Sequence, residues 1–159
     1  MIGSLPQLIE EDMKQLDAVF DDYLIKSEAD SVLLTAEGGF LVSTHGKTKC
    51  MDTTSIGALA SNSFEANKAI AMMIGEAGFN SLYQAGDQYS LFVQSIDGFN
   101  LMVVIFPVRT AVGAIKYYAQ SAREQVAKVF ERARKRTPGG LDLALLNVAD
   151  STEIFKRAQ

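Results

Sequence analysis

The chain carries one cysteine and one histidine, and it has no apolar run of membrane length. With Cys50 alone, no disulfide can form within the chain, and the composition suits a reducing cytosol. His45 is the only histidine, and no convergent acid–base set accompanies it, so general acid–base catalysis has no evident players. His45 and Cys50 also lack a second ligand pair, so neither a metal site nor a cofactor is expected. The longest apolar runs, such as Leu101–Val108, fall far short of the roughly 20 residues of a membrane helix. No basic-then-apolar leader opens the sequence. A formal net charge of −4 provides no overall pull toward nucleic acid. These absences point to a soluble cytoplasmic protein that is not an enzyme, with no catalytic residues, no nucleic-acid partner and no membrane insertion.

What is present is ordinary globular material. Hydrophobic residues make up 48% of 159 and charged residues 21%, enough for one domain with a real core. Two glycine turns set the order of elements. Glu37-Gly38-Gly39-Phe40 joins Val32–Ala36 to Leu41–Thr44, and Asp97-Gly98 joins Leu91–Ser95 to Leu101–Phe106. Tight hairpins need positive φ at their central positions, which Gly and Asp supply cheaply.

Ahead of the first hairpin, Ser4-Leu5-Pro6-Gln7 reads as a helix start with Ser4 as cap. Leu5, Ile9, Met13, Leu16, Phe20 and Tyr23 then form one apolar stripe, while Glu10, Glu11, Asp12, Asp17, Asp21 and Asp22 read as its solvated face. After the hairpin, His45–Cys50 reads as a polar loop. Its Gly46-Lys47-Thr48 lacks the leading glycine of a phosphate loop, because position 41 is leucine.

Asp52-Thr53-Thr54 caps a second helix that runs to about Glu76, with Gly78 as its stop. Ile56, Leu59, Ser63, Ala66, Ile70, Met73, Ile74 and Ala77 lie on one face, assigned here to the sheet. The neighbouring face holds Gly57, Ala60, Ser61, Phe64, Lys68, Ala71 and Gly75. Between Thr54 and Gly75 the only charges are Glu65 and Lys68, so this second face is assigned to another chain, the alternative being cover by the protein's own carboxy-terminal tail.

Three short-linked antiparallel strands follow, Asn80–Gln84, Tyr89–Ser95 and Asn100–Phe106. The last is apolar on both faces and is expected at the centre of the sheet. Thr110 reads as the cap of a third helix. Val112, Ile115, Ala119, Ala122, Val126, Val129 and Ala133 give it a seam for docking on the sheet, with Phe130 widening the stripe. Lys128, Arg132, Arg134, Lys135 and Arg136 gather at its end, where cations complement the helix dipole. Thr137-Pro138-Gly139-Gly140 then breaks the pattern, dividing a domain at 1–136 from a linker and apolar tail at 137–159. Leu141, Leu143, Leu145, Leu146 and Val148 in that tail are too apolar to stand alone, and dock either on the chain itself or on a partner.

This layout, helix–two strands–helix–three strands–helix, resembles the Roadblock dynein-light-chain family over roughly Ser4 to Arg136. The segments that carry the resemblance are Val32-Leu33-Leu34-Thr35-Ala36-Glu37-Gly38-Gly39-Phe40-Leu41-Val42 and the small-residue helix Ser55–Gly75. As an acidic chain with an added tail, it is most similar to the bacterial MglB-type members. The resemblance implies an α/β (α+β) fold, a five-stranded antiparallel sheet of order 2-1-5-4-3 sandwiched between the second helix and the two terminal helices. It further implies a homodimer paired through the second helix and third strand, here Gly57, Ala60, Ser61, Phe64, Ala71, Asn80, Leu82 and Gln84. A small Ras-like GTPase is the implied partner, bound in its GTP form and stimulated to hydrolyse GTP, with Asn62, Glu65, Asn67 and Lys68 as the contact residues. A non-stimulating adaptor in a polarity, cytoskeletal or signalling complex is the second reading. A small-ligand sensor of the profilin-like or PAS-like type is the third.

Overall fold

A computed structural model describes residues 5–136. The tail at 137–159, Ser4 and the tail leucines therefore lie outside the described residues. Three helices and five strands run in the order α1 (Glu10–Ser27), β1 (Ser31–Thr35), β2 (Leu41–Gly46), α2 (Thr53–Met73), β3 (Ser81–Gln84), β4 (Tyr89–Ser95), β5 (Leu101–Pro107) and α3 (Val112–Arg136), with a short 3-10 turn at Glu37–Gly39. The strands form one antiparallel sheet of order β2-β1-β5-β4-β3.

Strand alternation sorts the core into two layers. Val32, Leu34, Met102, Val104 and Phe106 point to the side covered by α1 and α3, where they meet Leu16, Phe20, Ile115, Val126 and Phe130. Leu33, Leu101 and Val103 point the other way, to Ala60 and Phe64 of α2. β5 is buried along its whole length, as expected of the strand that contributes to both layers. The α3 seam is also as expected: Ile115, Ala119, Ala122, Val126, Val129, Phe130 and Ala133 are all buried.

Several expectations change at the ends of elements. α1 begins at Glu10, not near Ser4, because the Asp12 carboxylate accepts the Ile9 N–H at 3.0 Å and caps the helix there. Asp12 is consequently buried rather than part of the solvated face, and Arg136 hydrogen-bonds it from the far end of α3. α2 stops at Met73 with Gly75 at φ +83°, three residues before Gly78. Asp97-Gly98 is not a two-residue hairpin. The connection is Ile96–Asn100, closed by Ile96 N–H donating to the Asn100 carbonyl, with Asp97 accepting from the Phe99 and Asn100 N–H groups. Thr110 does not cap α3; its hydroxyl donates to the Glu28 carbonyl and ties the helix start to the end of α1.

β2 extends through His45 to Gly46, opposite Val32 and Ser31, so His45 belongs to a strand and not a loop. Its ring packs on Phe20 at 5.0 Å between centroids.

Candidate functional site

The chemistry of α2 is set by what its small residues allow. Gly38 and Gly39 of the first turn both take positive φ, +77° and +82°, which only glycine adopts without strain. Gly39 also lies directly on α2: a Cβ there would sit 2.7 Å from Ala58 Cα and 3.1 Å from Ser61 Cβ. Gly57 in turn admits Thr35, whose Cγ2 would lie 3.0 Å from a Cβ at that position. The small residues of α2 thus accommodate this chain's own β1 and its turn.

This reverses the two faces of α2. Gly57, Ala60, Ser61, Phe64 and Ala71, assigned from sequence to a second chain, are buried inside this one. Most of the face assigned to the sheet is outward: Leu59 is 67% exposed, Ile70 50%, Met73 86% and Ile74 67%, with Met72 beside them. Ile56 of that face is instead half-buried against the core under α2, as assigned. Leu59, Ser63, Ala66, Ile70 and Met73 keep three–four spacing, so they make one continuous outward seam. Large apolar side chains in that number are unusual on a solvated helix. Two apolar faces on one helix hide the orientation from periodicity; the contact of Gly39 with Ala58 decides it.

A second unpartnered feature is the open edge of the sheet. β3 pairs only with β4 among the described residues, leaving its other side unpaired. Leu82 is half-buried and Gln84 exposed on that strand. Asn80 precedes it, exposed, its carbonyl accepting from the Ser95 N–H and from Gln94 Nε2 at 2.9 and 3.0 Å.

The four polar residues predicted to contact a GTPase divide into two groups. Asn62 and Glu65 are exposed and nearly one turn apart. Asn67 and Lys68 are half-buried and engaged within the helix. Asn67 Nδ2 donates to the Ser63 carbonyl at 2.8 Å, while Lys68 Nζ meets Glu65 at 2.6 Å and lies 5.6 Å above the Phe64 ring. Asn62 and Glu65 therefore lie on one exposed surface, Glu65 already holding the Lys68 ammonium.

Three titratable sites lie beyond what the sequence pattern indicates. Asp97 is mostly buried and holds Arg134 at 2.6 Å. Burial alone would raise its pKa, but the bonds from Arg134, from Asn100 and from the Phe99 N–H outweigh this and lower it. Asp12 is held the same way: burial is opposed by Arg136 and the Ile9 N–H, with the net direction downward. Burial lowers the pKa of His45, and nearby Asp17 and Asp21 oppose that shift without reversing it. Asp12 lies 124 residues from Arg136, beyond the reach of any local pattern.

Among the described residues, no group of three or more His, Cys, Asp or Glu side chains could hold a metal ion. No described helix is long and apolar enough to cross a membrane.

No protein-family model matches the chain, and no curated protein matches it. Solved structures do. Myxococcus xanthus MglB aligns with a TM-score of 0.71 and 30% identity, covering 74% of this chain and 96% of that one. The gliding protein MglB of Thermus thermophilus gives 0.76 at 22% identity, covering 82% of this chain and 99% of its own. A Roadblock/LC7 domain from Streptomyces avermitilis gives 0.65 at 18% identity, covering 70% of this chain and 94% of its own. The latter two are similar in fold alone. Identity of 30% across nearly all of Myxococcus MglB, on a sheet of order β2-β1-β5-β4-β3 with α2 on one face and α1 and α3 on the other, means that the chain belongs to the Roadblock/LC7 family as an MglB-like member.

Proposed function

We propose that this protein is a homodimeric regulator of a small Ras-like GTPase, binding the GTP form and promoting hydrolysis without catalytic residues of its own. The observation that carries the reading is the outward apolar seam of α2 together with the unpaired edge of β3, in a chain 30% identical to Myxococcus MglB. A second copy of the chain, related by a two-fold axis, would cover Leu59, Ile70 and Met73 with the same residues and pair the two β3 edges. Asn80, Leu82 and Gln84 keep the role assigned to them from sequence. On α2 the contact shifts from the small residues to the large ones.

With the seam paired, Asn62 and Glu65 of both copies stand on one composite surface, which is where the GTPase is placed. The regulator's contribution would be to favour the GTPase conformation in which the attacking water and the phosphate-stabilising groups are aligned. A tenfold acceleration asks for only about 1.4 kcal/mol of preferential binding to that conformation. The apolar seam itself also suits the second reading, an adaptor that binds without stimulating.

Affinity capture with the chain, once with GDP and once with a non-hydrolysable GTP analogue, supplies the protein for a turnover assay. Retention of a Ras-sized GTPase mainly with the analogue, and faster hydrolysis by that purified GTPase when the chain is added, is the expected result. Retention without acceleration selects the adaptor. Absence of any GTPase in both states removes both GTPase-linked readings.

A further inference from the structure

α1 and α3 run antiparallel on the face of the sheet opposite α2, and between them lies an open groove of about 550 Å³. Ala18, Val19 and Val129 supply its apolar lining, and the cations Lys128, Arg132 and Lys135 stand along it on α3, with Glu131 among them paired to Lys135 at 2.7 Å. Long basic side chains add their own methylene stems to such a surface while keeping their charge in water.

The point at which the described chain ends bears on what fills this groove. Arg136, the last residue of α3, is ion-paired with Asp12 in the first turn of α1, and one turn earlier Arg132 donates to Gln15. Both arginines fasten the end of α3 beside Gln15, which itself lines the groove, so the chain leaves α3 at the groove's mouth. The next four residues, Thr137-Pro138-Gly139-Gly140, are types that do not prolong a helix and that permit reversal. Beyond them come Leu141, Leu143, Leu145, Leu146 and Val148, with Asp142 among them and Asp150 and Glu153 after them.

We propose that residues 141–148 of the same chain occupy the α1–α3 groove, their apolar side chains against Ala18, Val19 and Val129 and Asp142 among its cations. Reach permits it. The groove follows α3 from Lys135 back to Gln125, about 15 Å at 1.5 Å per residue. Eight residues span about 12 Å as a helix and about 26 Å when extended, so the segment can line most or all of that length in either form. Charge permits it too: Lys128, Arg132 and Lys135 outnumber Glu131 along the groove, so Asp142, the one acid of the segment, meets a net positive wall. This assignment is independent of the GTPase reading, since the groove lies on the opposite face from α2.

The test uses the full chain with a spin label at Asn147→Cys in a Cys50→Ser background, the native cysteine being exposed. Paramagnetic loss of the amide signals of Ala18, Val19, Val129 and Arg132 is expected. That loss should persist on dilution and disappear when Leu145→Asp and Leu146→Asp are added. Signal loss in a mixture of isotope-labelled and spin-labelled copies would place the segment on a second copy and overturn the proposal. Loss at Leu59, Ile70 or Leu82 instead would place it on the α2 face and overturn the proposal as well. No signal loss anywhere would mean that a partner, not this chain, is its seat, and would equally overturn it.

Discussion

Substituting Gly39 with alanine tests how the first turn is fastened to α2. At φ +82° an alanine pays about 1–2 kcal/mol for the left-handed backbone alone. Its Cβ would then fall 2.7 Å from Ala58 Cα, a backbone atom of a helix that cannot yield like the end of a side chain. Relieving that overlap pushes the turn off α2, and overpacking of this kind costs about 1–3 kcal/mol more. The sum, about 2–5 kcal/mol, is a large fraction of a domain's stability. Gly98→Ala is the matched control, because Gly98 has φ +88° but nothing within 4 Å of where its Cβ would go. It should cost only the backbone share, about 1–2 kcal/mol. Urea unfolding of the two variants, compared by midpoint at equal slope, reads the difference directly. If Gly39→Ala is no more destabilising than Gly98→Ala, the close approach of turn and helix is wrong, and with it the orientation of α2.

The remaining predictions concern the seam and the buried charges. Ile70→Glu places a carboxylate in the proposed dimer seam twice per dimer, at a residue 50% exposed in the single chain. It should leave the fold intact and weaken self-association at least about 100-fold, about 2.7 kcal/mol, by analytical ultracentrifugation; an unchanged dimer contradicts the assignment. Ala60→Arg, by contrast, should unfold the protein, since Ala60 is 5% exposed and packs on Phe64 and Val103 in the core. Asp97→Asn removes the charge that holds Arg134 and should cost about 1.5 kcal/mol at neutral pH. Because the folded pKa of Asp97 is lowered, its contribution is complete above about pH 4 and is lost as pH falls through the lowered value, so the variant should show a weaker loss of stability on acidification. His45 has a lowered folded pKa, so it favours the native state fully above about pH 6.5 and does so less as pH falls below that. His45→Phe should flatten the thermal-stability profile between about pH 5 and 7; an unaltered slope there contradicts the burial of that ring.

Much of this architecture is legible in the sequence because particular residues leave few alternatives. Gly38 and Gly39 mark a turn that needs positive φ at two successive positions, and they have it. Leu101-Met102-Val103-Val104-Ile105-Phe106 is apolar on both faces, which suits only a strand covered above and below. The seam of α3 carries a single periodicity with polar residues opposite. α2 is harder for the same physical reason that makes it interesting. Both of its faces are apolar, and hydrophobic periodicity reports that a face is buried without reporting what buries it. Steric detail settles the choice: only the small-residue face can admit Gly39 and Thr35. The long-range ion pairs are out of reach for a different reason. Asp12 and Asp97 look like ordinary surface acids until folding brings Arg136 and Arg134 onto them from the end of α3. His45 reads as a loop residue from sequence because its neighbours Gly46, Lys47 and Thr48 are turn-forming, whereas pairing with Val32 carries β2 one residue beyond it.

Single-turnover GTP hydrolysis by the GTPase captured with this chain tests the central claim most directly. The account predicts that the native chain accelerates hydrolysis and that Ile70→Glu, a folded monomer, does not. Equal rates with and without the native chain would contradict it, leaving a protein that holds a GTPase without acting on its chemistry.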